Sequence, residues 1–471
     1  MMNVDATAPR ESESDMSVRV TLPRSIGASL AINAVPDSFL LIDSPHCAFR
    51  RLTYIQGNHD LESTIALFPG TPRVTNTEVS PLKVIKNRDA ELVQELAALA
   101  RHPNAGVVLI DAMAMAMITA TDYGRLCELA GQATEKPILQ VPHRSLTSDW
   151  LTAYSDVMEA LAGGLALSPA PKGDRPCVAV VGYMWDRNEG DHRGNLRELQ
   201  RIAQALDIDL ASVWLSGTPT TELARLEGID LIVSLPYGRR AARKLARRIG
   251  CDLLRAELPF GLSATLRFVL ALGAATHRLD AARAFVEREL SEVLPALKWL
   301  VPFALLHRRV GYLGDPHMFV GIREVARMVG CTLPFAGFTN LPRHERDTAP
   351  DYGTLLHELD IPDDVRALMA LDAPLPEPET TLSYPHAREL EHTLRSYGAE
   401  QKLDLLVTNS FGYLTEGMGI VEAGFPAYHT HVLVDRPTLG MRGFLGLVER
   451  MANAVRDFEV RSANRRQRGN D

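Results

Sequence analysis

Two segments, RRIGCDLL (Arg247–Leu254) and RMVGCTLP (Arg327–Pro334), place a Gly-Cys pair at the same point of a helix-to-strand unit. Glycine at such a junction ends a helix because it accepts the left-handed backbone conformation without a steric penalty. The cysteine then enters an apolar run that is typical of a buried strand. The two segments therefore predict helices that lead directly into strands, with Cys251 and Cys331 as core residues.

The same order of elements recurs along most of the chain. Helical periodicity over residues 90–101 precedes the apolar run AGVVLID, and CVAVVGYMW opens a second series after a Pro-rich linker at residues 168–176. Alternating helices and strands predict parallel sheets with helices on both faces. We therefore predict an α/β fold of three Rossmann-like domains, each with a parallel sheet flanked by helices. The segments GASLAI and SFLLID are interpreted as two short strands around a turn.

Domain limits follow from breaks in this pattern. Residues 342–400 are rich in Pro, Asp, Glu and His with poor strand character, so they are interpreted as an insertion with helical pieces. A long helical stretch is predicted from about residue 263 to residue 308. The predicted division is a disordered leader at 1–20, α/β domains at 21–167, 177–308 and 309–460, and a polar tail at 461–471.

Bulk composition limits the possible functions. The chain has 471 residues, 46% hydrophobic and 23% charged, and its formal net charge of −8 argues against nucleic acid as a partner. Its length exceeds what one hydrophobic core supports. No apolar run reaches the roughly 18 residues of a membrane helix, and the first 20 residues lack the apolar stretch of a signal peptide. We expect no membrane association and a cytoplasmic location.

The cysteines do not form a local metal site. Five are spread along the chain without a Cys-x-x-Cys pair: Cys47, Cys127, Cys177, Cys251 and Cys331. Cys177 heads a predicted buried strand and Cys127 lies in a helical run, so both are expected in the core. Only Cys47 lies in a loop, IDSPHCAFRRLTYIQGNHD. His46 and His59 in the same loop are either ligands or proton donors, or simply hydrogen-bonded loop residues.

Nucleotide and hydrolase motifs are missing from the chain. It has no G-x-x-x-x-G-K-[ST] loop, no G-x-G-x-x-G after a strand and no G-x-S-x-G elbow. His429 and His431 are two residues apart, so a strand would place both on one face as a possible metal pair, although no third ligand is visible nearby.

Several motifs, in their order, resemble the nitrogenase component 1 family. That family includes the molybdenum-iron protein subunits, the cofactor-assembly scaffold pair and the dark-operative protochlorophyllide reductase pair. The resemblance runs from about Ser25 to Val455 and is carried by GDPHMFVGIREVARMVGC, NLRELQRIAQALDIDLASVWLSG and DLLVTNSFG followed by AGFPAYHTHVLVDRPTLGMRGFLGLVERMANAV. IGASLAI and the Cys47 loop are similar to the start of the scaffold's second subunit.

The resemblance implies an iron-sulfur cluster at a subunit interface. Cys47 matches the first cluster ligand of the first-domain cluster loop, while the family's other two first-domain cysteines have no counterpart here. A [4Fe-4S] cluster needs four ligands, so the partner chain would supply the rest. A carboxylate can replace one thiolate in this family, so Asp43 and Asp111 are either cluster-binding residues or strand-end capping residues.

Other positions indicate which subunit the chain resembles. Where the family's α subunit holds the active-site metal cluster with a cysteine and a histidine, this chain has Ser234 and Ile420. The chain therefore resembles the β-type subunit or the scaffold's second subunit.

Three functions follow from the resemblance. The first is a subunit of a nitrogenase-like two-component oxidoreductase that is not active alone. It would share its cluster with a paralogous partner in a heterodimer or α2β2 assembly, and would receive electrons from an ATP-dependent iron protein. The alternative is a non-catalytic scaffold subunit for assembly of a nitrogenase-type metal cofactor. A third possibility is a fold without a cluster, in which Cys47 is structural.

Overall fold

The computed structural model describes residues 19–46, 50–66, 72–84, 86–114, 121–345 and 374–468. Cys47 and residues 346–373 of the predicted insertion lie outside these described residues. Within them, no helix is long and apolar enough to cross a membrane.

Three parallel sheets organise the described residues. The first has the order β2-β1-β3-β4, the second β10-β9-β6-β7 and the third β13-β12-β11-β14-β15, and β5 pairs with β8 in a small parallel ribbon. The strands are β1 (Ser38–Asp43), β2 (Val74–Asn76), β3 (Val107–Ala112), β4 (Ile138–Gln140), β5 (Ser168–Pro169), β6 (Cys177–Val181), β7 (Asp209–Val213), β8 (Arg225–Glu227), β9 (Leu231–Ser234), β10 (Asp252–Arg255), β11 (Arg309–Gly314), β12 (Thr332–Phe338), β13 (Thr380–Ser383), β14 (Leu405–Thr408) and β15 (Gly419–Glu422).

Helices connect these strands and cover the sheets, as parallel pairing requires. They are α1 (Arg24–Asn33), α2 (Pro81–Val84), α3 (Asp89–Ala100), α4 (Tyr123–Gly131), α5 (Trp150–Gly164), α6 (Gly190–Ala205), α7 (Thr220–Leu223), α8 (Arg239–Ile249), α9 (Leu262–Ala275), α10 (Leu279–Leu300), α11 (Pro316–Val329), α12 (Ala387–Ala399) and α13 (Gly440–Arg468). The predicted α/β class with parallel sheets and flanking helices is confirmed, whereas the domain limits stay a prediction.

Both Gly-Cys junctions have the predicted conformation. Gly250 ends α8 with φ 77° and Gly330 ends α11 with φ 71°, and each is followed by a strand. Cys331 is buried and bonds the carbonyl of Leu305, whereas Cys251 is only half-buried. The left-handed glycine is a local requirement, which is why the sequence alone could locate it.

The interpretation of GASLAI as a strand is wrong. These residues belong to α1, and all ten residues of that helix are buried. A helix surrounded by protein on every side has no polar face, so its apolar run carries no 3.6-residue period. SFLLID does form a strand, β1, which is also buried along its whole length.

Two other interpretations need correction. The predicted insertion at 342–400 contains a strand, β13, which pairs in parallel with β12 at the sheet edge, and the helix α12. Edge strands are half exposed, so the apolar content that reveals a buried strand is low here. The predicted linker at 168–176 begins with β5.

Helix α1 packs directly against α5 at a glycine. A Cβ atom added to Gly27 would lie 1.8 Å from the carbonyl oxygen of Trp150, the first residue of α5. Only a residue without a side chain permits this approach.

We expect Gly27→Ala to destabilise the protein by about 1–3 kcal/mol, because the methyl group must push two helices apart. Gly131→Ala at the end of α4 is the matched control, since a Cβ there meets nothing within 4 Å. Urea unfolding followed by circular dichroism measures both. Equal urea midpoints for the two variants would contradict the close packing of α1 on α5.

Candidate functional site

The segment that leads to Cys47 begins at the carboxyl end of the first sheet. Strand β1 ends at Asp43, and the neighbouring strand β3 pairs Asp111 with Ile42, so the two predicted carboxylates occupy the same sheet edge. Ligands of open α/β sheets bind at this edge. His46 is exposed, with its Nδ1 atom 3.2 Å from a carboxylate oxygen of Glu78.

Asp43 is buried and accepts hydrogen bonds from three side chains. The donors are the Thr77 hydroxyl at 2.6 Å, the Tyr123 hydroxyl at 2.7 Å and a guanidinium nitrogen of Arg88 at 2.8 Å. Burial, followed by the neighbouring Asp43 charge, raises the pKa of Tyr123 well above its ordinary value, so this phenol stays a donor. Asp43 therefore anchors the loop that follows β1 to the body of the domain.

Asp111 is paired with a residue of α1. The Nε atom of Arg24 lies 3.0 Å from Asp111, and Nη1 of Arg24 lies 2.6 Å from Asp156 on α5. Burial of Arg24 disfavours its charge, but the two carboxylates outweigh this effect and raise its pKa. Asp111 thus joins the sheet edge to two helices.

A second buried cluster joins three parts of the chain. The Nδ1 atom of His59 lies 3.0 Å from the backbone nitrogen and 3.1 Å from the carbonyl oxygen of Ala427, and its Nε2 atom lies 3.5 Å from a carboxylate oxygen of Asp186. Asp186 also contacts the Nε2 atom of His192, whose Nδ1 atom lies 3.1 Å from the hydroxyl of Tyr183. His59 follows β1, Asp186 follows β6 and Ala427 follows β15, so the cluster connects loops of all three sheets.

The charge state of this cluster follows from its geometry. Burial opposes ionisation of Asp186, but His192 and His59 hold the pKa of this carboxyl well below its ordinary value. Burial also disfavours the charge on His192, yet Asp186 and Asp191 raise its pKa above the ordinary value. The Asp186–His192 contact is therefore a buried ion pair at acidic to neutral pH.

A cavity of about 100 Å³ lies beside this cluster. Its lining includes Tyr183, His192, Phe260, Met318 and Leu447. Binding sites for organic ligands usually enclose about 300–1,000 Å³. In this conformation the cavity is too small for a large organic substrate.

The two histidines of the AYHTHVL segment do not converge. They lie in a loop rather than a strand, because Glu422 accepts the backbone N–H groups of residues 428–430 and bends the chain after β15. His429 stacks on Tyr413 at 4.1 Å, whereas His431 contacts Glu189 at 2.7 Å. Throughout the described ranges, no group of three His, Cys, Asp or Glu side chains could hold a metal ion.

The other cysteines are poor candidates for metal ligands. Cys127, Cys177 and Cys331 are buried, and burial raises the pKa of Cys127 and of Cys331 to about 12. The pKa of Cys177 and that of the half-buried Cys251 are also raised by burial. Metal binding requires the thiolate, so the raised pKa values disfavour all four thiols as metal ligands.

Two further predicted positions, Ser234 and Ile420, lie in strands. Ser234 ends β9, and its carbonyl oxygen accepts a hydrogen bond from Arg239. Ile420 lies within β15, paired with Leu406 of β14. Neither is a metal-binding side chain.

Asp186 and His192 were not predicted as site residues. The signal was present in the segment MWDRNEGDH, a charged run that directly follows the buried strand β6. Polar residues at the carboxyl end of a buried strand are candidates for site residues. His59, a partner of Asp186, lies far away in the sequence, so no local pattern connects the two residues.

Comparison with known proteins identifies the family of this chain. The family described as nitrogenase component 1 type oxidoreductase matches residues 24–456. The chain belongs to this family. The resemblance found in the sequence motifs is confirmed, and the chain is a nitrogenase-like oxidoreductase subunit. Family membership implies metal–sulfur clusters and an assembly with a partner subunit and an iron protein.

Individual relatives are distant. The chain is 22% identical to the nitrogenase molybdenum-iron protein beta chain of Clostridium pasteurianum. The alignment spans 355 residues and covers 70% of each chain. The solved structure of nitrogenase Cp1 at pH 6.5 has a TM-score of 0.72 at 15% identity, with 97% of this chain and 95% of that chain covered. Nitrogenase Cp1 at pH 5 gives a TM-score of 0.66 at 12% identity, with 96% and 91% covered. These two structures support the fold.

We expect Asp43→Asn to lower the free energy of unfolding by about 3 kcal/mol, because it leaves the partly buried Arg88 without its closest carboxylate. Glu222→Gln is the matched control: its partner Arg225 is exposed, so the loss should be below about 1 kcal/mol. Urea denaturation measures both values. A loss for Asp43→Asn as small as for the control would show that the ion pair does not anchor the loop.

We expect the stability difference between wild type and His192→Gln to depend on pH. The raised His192 pKa gives stabilisation that is complete below the unfolded-state pKa of about 6.5 and is lost as pH rises through the folded-state pKa. The lowered Asp186 pKa gives stabilisation that is lost on acidification below about pH 4. The difference should therefore be largest between about pH 4 and 6.5, and smaller at about pH 9.

Urea denaturation at several pH values tests this expectation. His46→Gln is the control, since water screens the exposed His46–Glu78 pair. A difference for His192→Gln that stays constant with pH would mean that His192 is not charged in the folded protein.

Proposed function

We propose that the chain is one subunit of a nitrogenase-like two-component oxidoreductase. It shares an interfacial iron-sulfur cluster, of the [4Fe-4S] type, with a paralogous partner in a heterodimer or α2β2 assembly. An ATP-dependent iron protein delivers the electrons. Cys47 supplies this chain's thiolate ligand.

The observation that carries the proposal is the family match over residues 24–456, which includes the Cys47 loop. The described geometry is consistent with it, because β1 ends at Asp43, four positions before Cys47, at the ligand-binding edge of the sheet. A bound iron-sulfur cluster supplies one-electron transfer at low potential.

The remaining cysteines support the assignment of Cys47. Cys127, Cys177 and Cys331 are buried and Cys251 is half-buried, and burial raises the pKa of all four thiols, which disfavours the thiolate form that a ligand needs. A cluster needs four ligands, and the described residues provide no set of three. We therefore assign the remaining ligands to the partner.

Asp43 and Asp111 are the carboxylates proposed beside the cluster. Each is engaged by an arginine, Asp43 by Arg88 and Asp111 by Arg24, and coordination of iron would require these ion pairs to break. We infer a supporting role, in which both carboxylates hold the sheet edge under the Cys47 loop. Loss of iron from Asp43→Asn or Asp111→Asn without loss of stability would instead identify a ligand.

A second candidate function is a non-catalytic scaffold subunit for assembly of a nitrogenase-type metal cofactor. It is favoured by Ser234 and Ile420, which stand where the resemblance places the α subunit's cofactor ligands, and by the small size of the histidine-lined cavity. A scaffold transfers a cluster to an acceptor protein, whereas a reductase turns over with its iron protein and ATP. These two activities distinguish the candidates.

We expect Cys47→Ala to abolish the cluster in the anaerobically purified complex with the partner. Iron, acid-labile sulfide and the EPR spectrum are measured on wild type, Cys47→Ala and Cys251→Ala. Cys251 is the matched control because it is only half-buried and its thiol is protonated. The control should retain the wild-type iron content and spectrum.

Two results would contradict the ligand assignment. One is a wild-type complex without iron, which would leave the fold without a cluster. The other is a Cys47→Ala complex with the same iron content and EPR spectrum as wild type, which would place all ligands elsewhere. Loss of the signal in both variants would indicate that the complex, rather than one ligand, was damaged.

A further inference from the structure

A basic cleft of about 570 Å³ opens at the carboxyl ends of β9 and β10. Its walls come from α5, the first turn of α8, the first turn of α11 and residues 343–344. The volume lies within the range of small-molecule sites, and the carboxyl ends of parallel strands are where such sites occur. The cleft is separate from the sheet edge that precedes Cys47.

Cations dominate this cleft. We call it the arginine cleft, after the five arginines in its lining: Arg239, Arg240, Arg243, Arg255 and Arg343. Arg240 is paired with Asp156 and Glu159. In contrast, Arg243 and Arg343 are exposed, and neither has an ion pair with a carboxylate of the described residues, although Arg343 donates hydrogen bonds to the Thr147 carbonyl and the Thr152 hydroxyl. The overall charge of −8 therefore conceals a local excess of positive charge.

A buried histidine also faces the cleft. His317 lines it and is only 7% exposed, yet its Nδ1 atom has no hydrogen-bond partner within the described part of the chain. Its backbone N–H is bonded to Asp315, which caps α11, and its ring meets Tyr237 edge-on at 5.2 Å. A buried polar atom without a partner is costly, so a ligand that reaches Nδ1 would stabilise the site.

The pKa of His317 reflects burial and the positive charges around it. Burial, followed by the charges of His344 and Arg239, lowers the pKa of His317 to about 3. Its ring is therefore neutral at physiological pH and carries one N–H donor and one acceptor. The nearby cations, rather than His317 itself, provide the positive potential.

We propose that the arginine cleft binds a compact small molecule carrying two or more anionic groups. Arg243 of α8 and Arg343 supply positive charge to this ligand, and His317 supplies a buried ring nitrogen. Guanidinium groups bind phosphoryl and carboxylate groups through two parallel hydrogen bonds, which a single lysine cannot provide. A multiply charged anion also removes the mutual repulsion among the arginines.

The test is isothermal titration calorimetry at low ionic strength on the full chain, or on its complex with the partner. Pyrophosphate and malonate are the probes, since they separate phosphoryl from carboxylate ligands of similar size. We expect one site per chain. Arg243→Gln and Arg343→Gln should each raise the Kd of the preferred probe about tenfold, because each removes a charge-assisted hydrogen bond.

Arg247→Gln is the matched control. Arg247 lies one turn further along the same exposed face of α8 and does not line the arginine cleft. It should change the Kd less than about twofold, since screening weakens charges that do not touch the ligand. His317→Phe, which removes the buried nitrogens, should weaken binding while the apolar ring keeps the packing against Tyr237.

Three results would overturn the proposal. They are no binding of either probe at millimolar concentration, an equal effect of all three arginine variants, or several weak sites per chain. The last two would indicate unspecific attraction to the basic face of α8. None of these results depends on iron content, so the arginine cleft and the Cys47 cluster can fail independently.

Discussion

The guanidinium of Arg24 lies between two buried carboxylates, Asp111 at the end of β3 and Asp156 on α5. Asp156 also binds Arg240 at the start of α8, so the first sheet, two of its helices and a helix of the second sheet share one charge network. A buried charge that loses its partner costs about 3–5 kcal/mol. These elements therefore keep their relative positions, and the sheet edge before Cys47 is held on a fixed support.

The His59–Asp186–His192 cluster applies the same constraint at a second place. Asp186 is buried after β6, and its histidine partners follow β1 and begin α6. The Nδ1 atom of His59 contacts the backbone of Ala427, after β15. Through these contacts, loops of all three sheets meet around the cluster and leave little enclosed space beside it. This explains why the adjoining cavity measures only about 100 Å³.

Local chemistry determined which features the sequence could predict. Gly250 and Gly330 were located because a left-handed helix end needs glycine, whereas Asp43 and Asp111 were proposed because a carboxylate can replace a thiolate ligand in the family that the motifs resemble. Helix α1 was missed because complete burial removes its amphipathic period. The His59–Asp186 contact could not be predicted, since it depends on how distant segments pack. The arginine cleft was missed for the same reason.

The charge balance at the two sheet edges distinguishes the chemistry that each can support. At the first edge, Arg88 and Arg24 neutralise Asp43 and Asp111, so a thiolate-bound cluster near Cys47 would not meet unpaired negative charge. The potential of an iron-sulfur cluster depends on nearby charge and hydrogen bonds, and a neutral edge prevents the carboxylates from lowering it further. At the second edge, Arg243 and Arg343 are not neutralised within the described residues. That edge attracts anions, and walls of low dielectric constant concentrate its field within the arginine cleft.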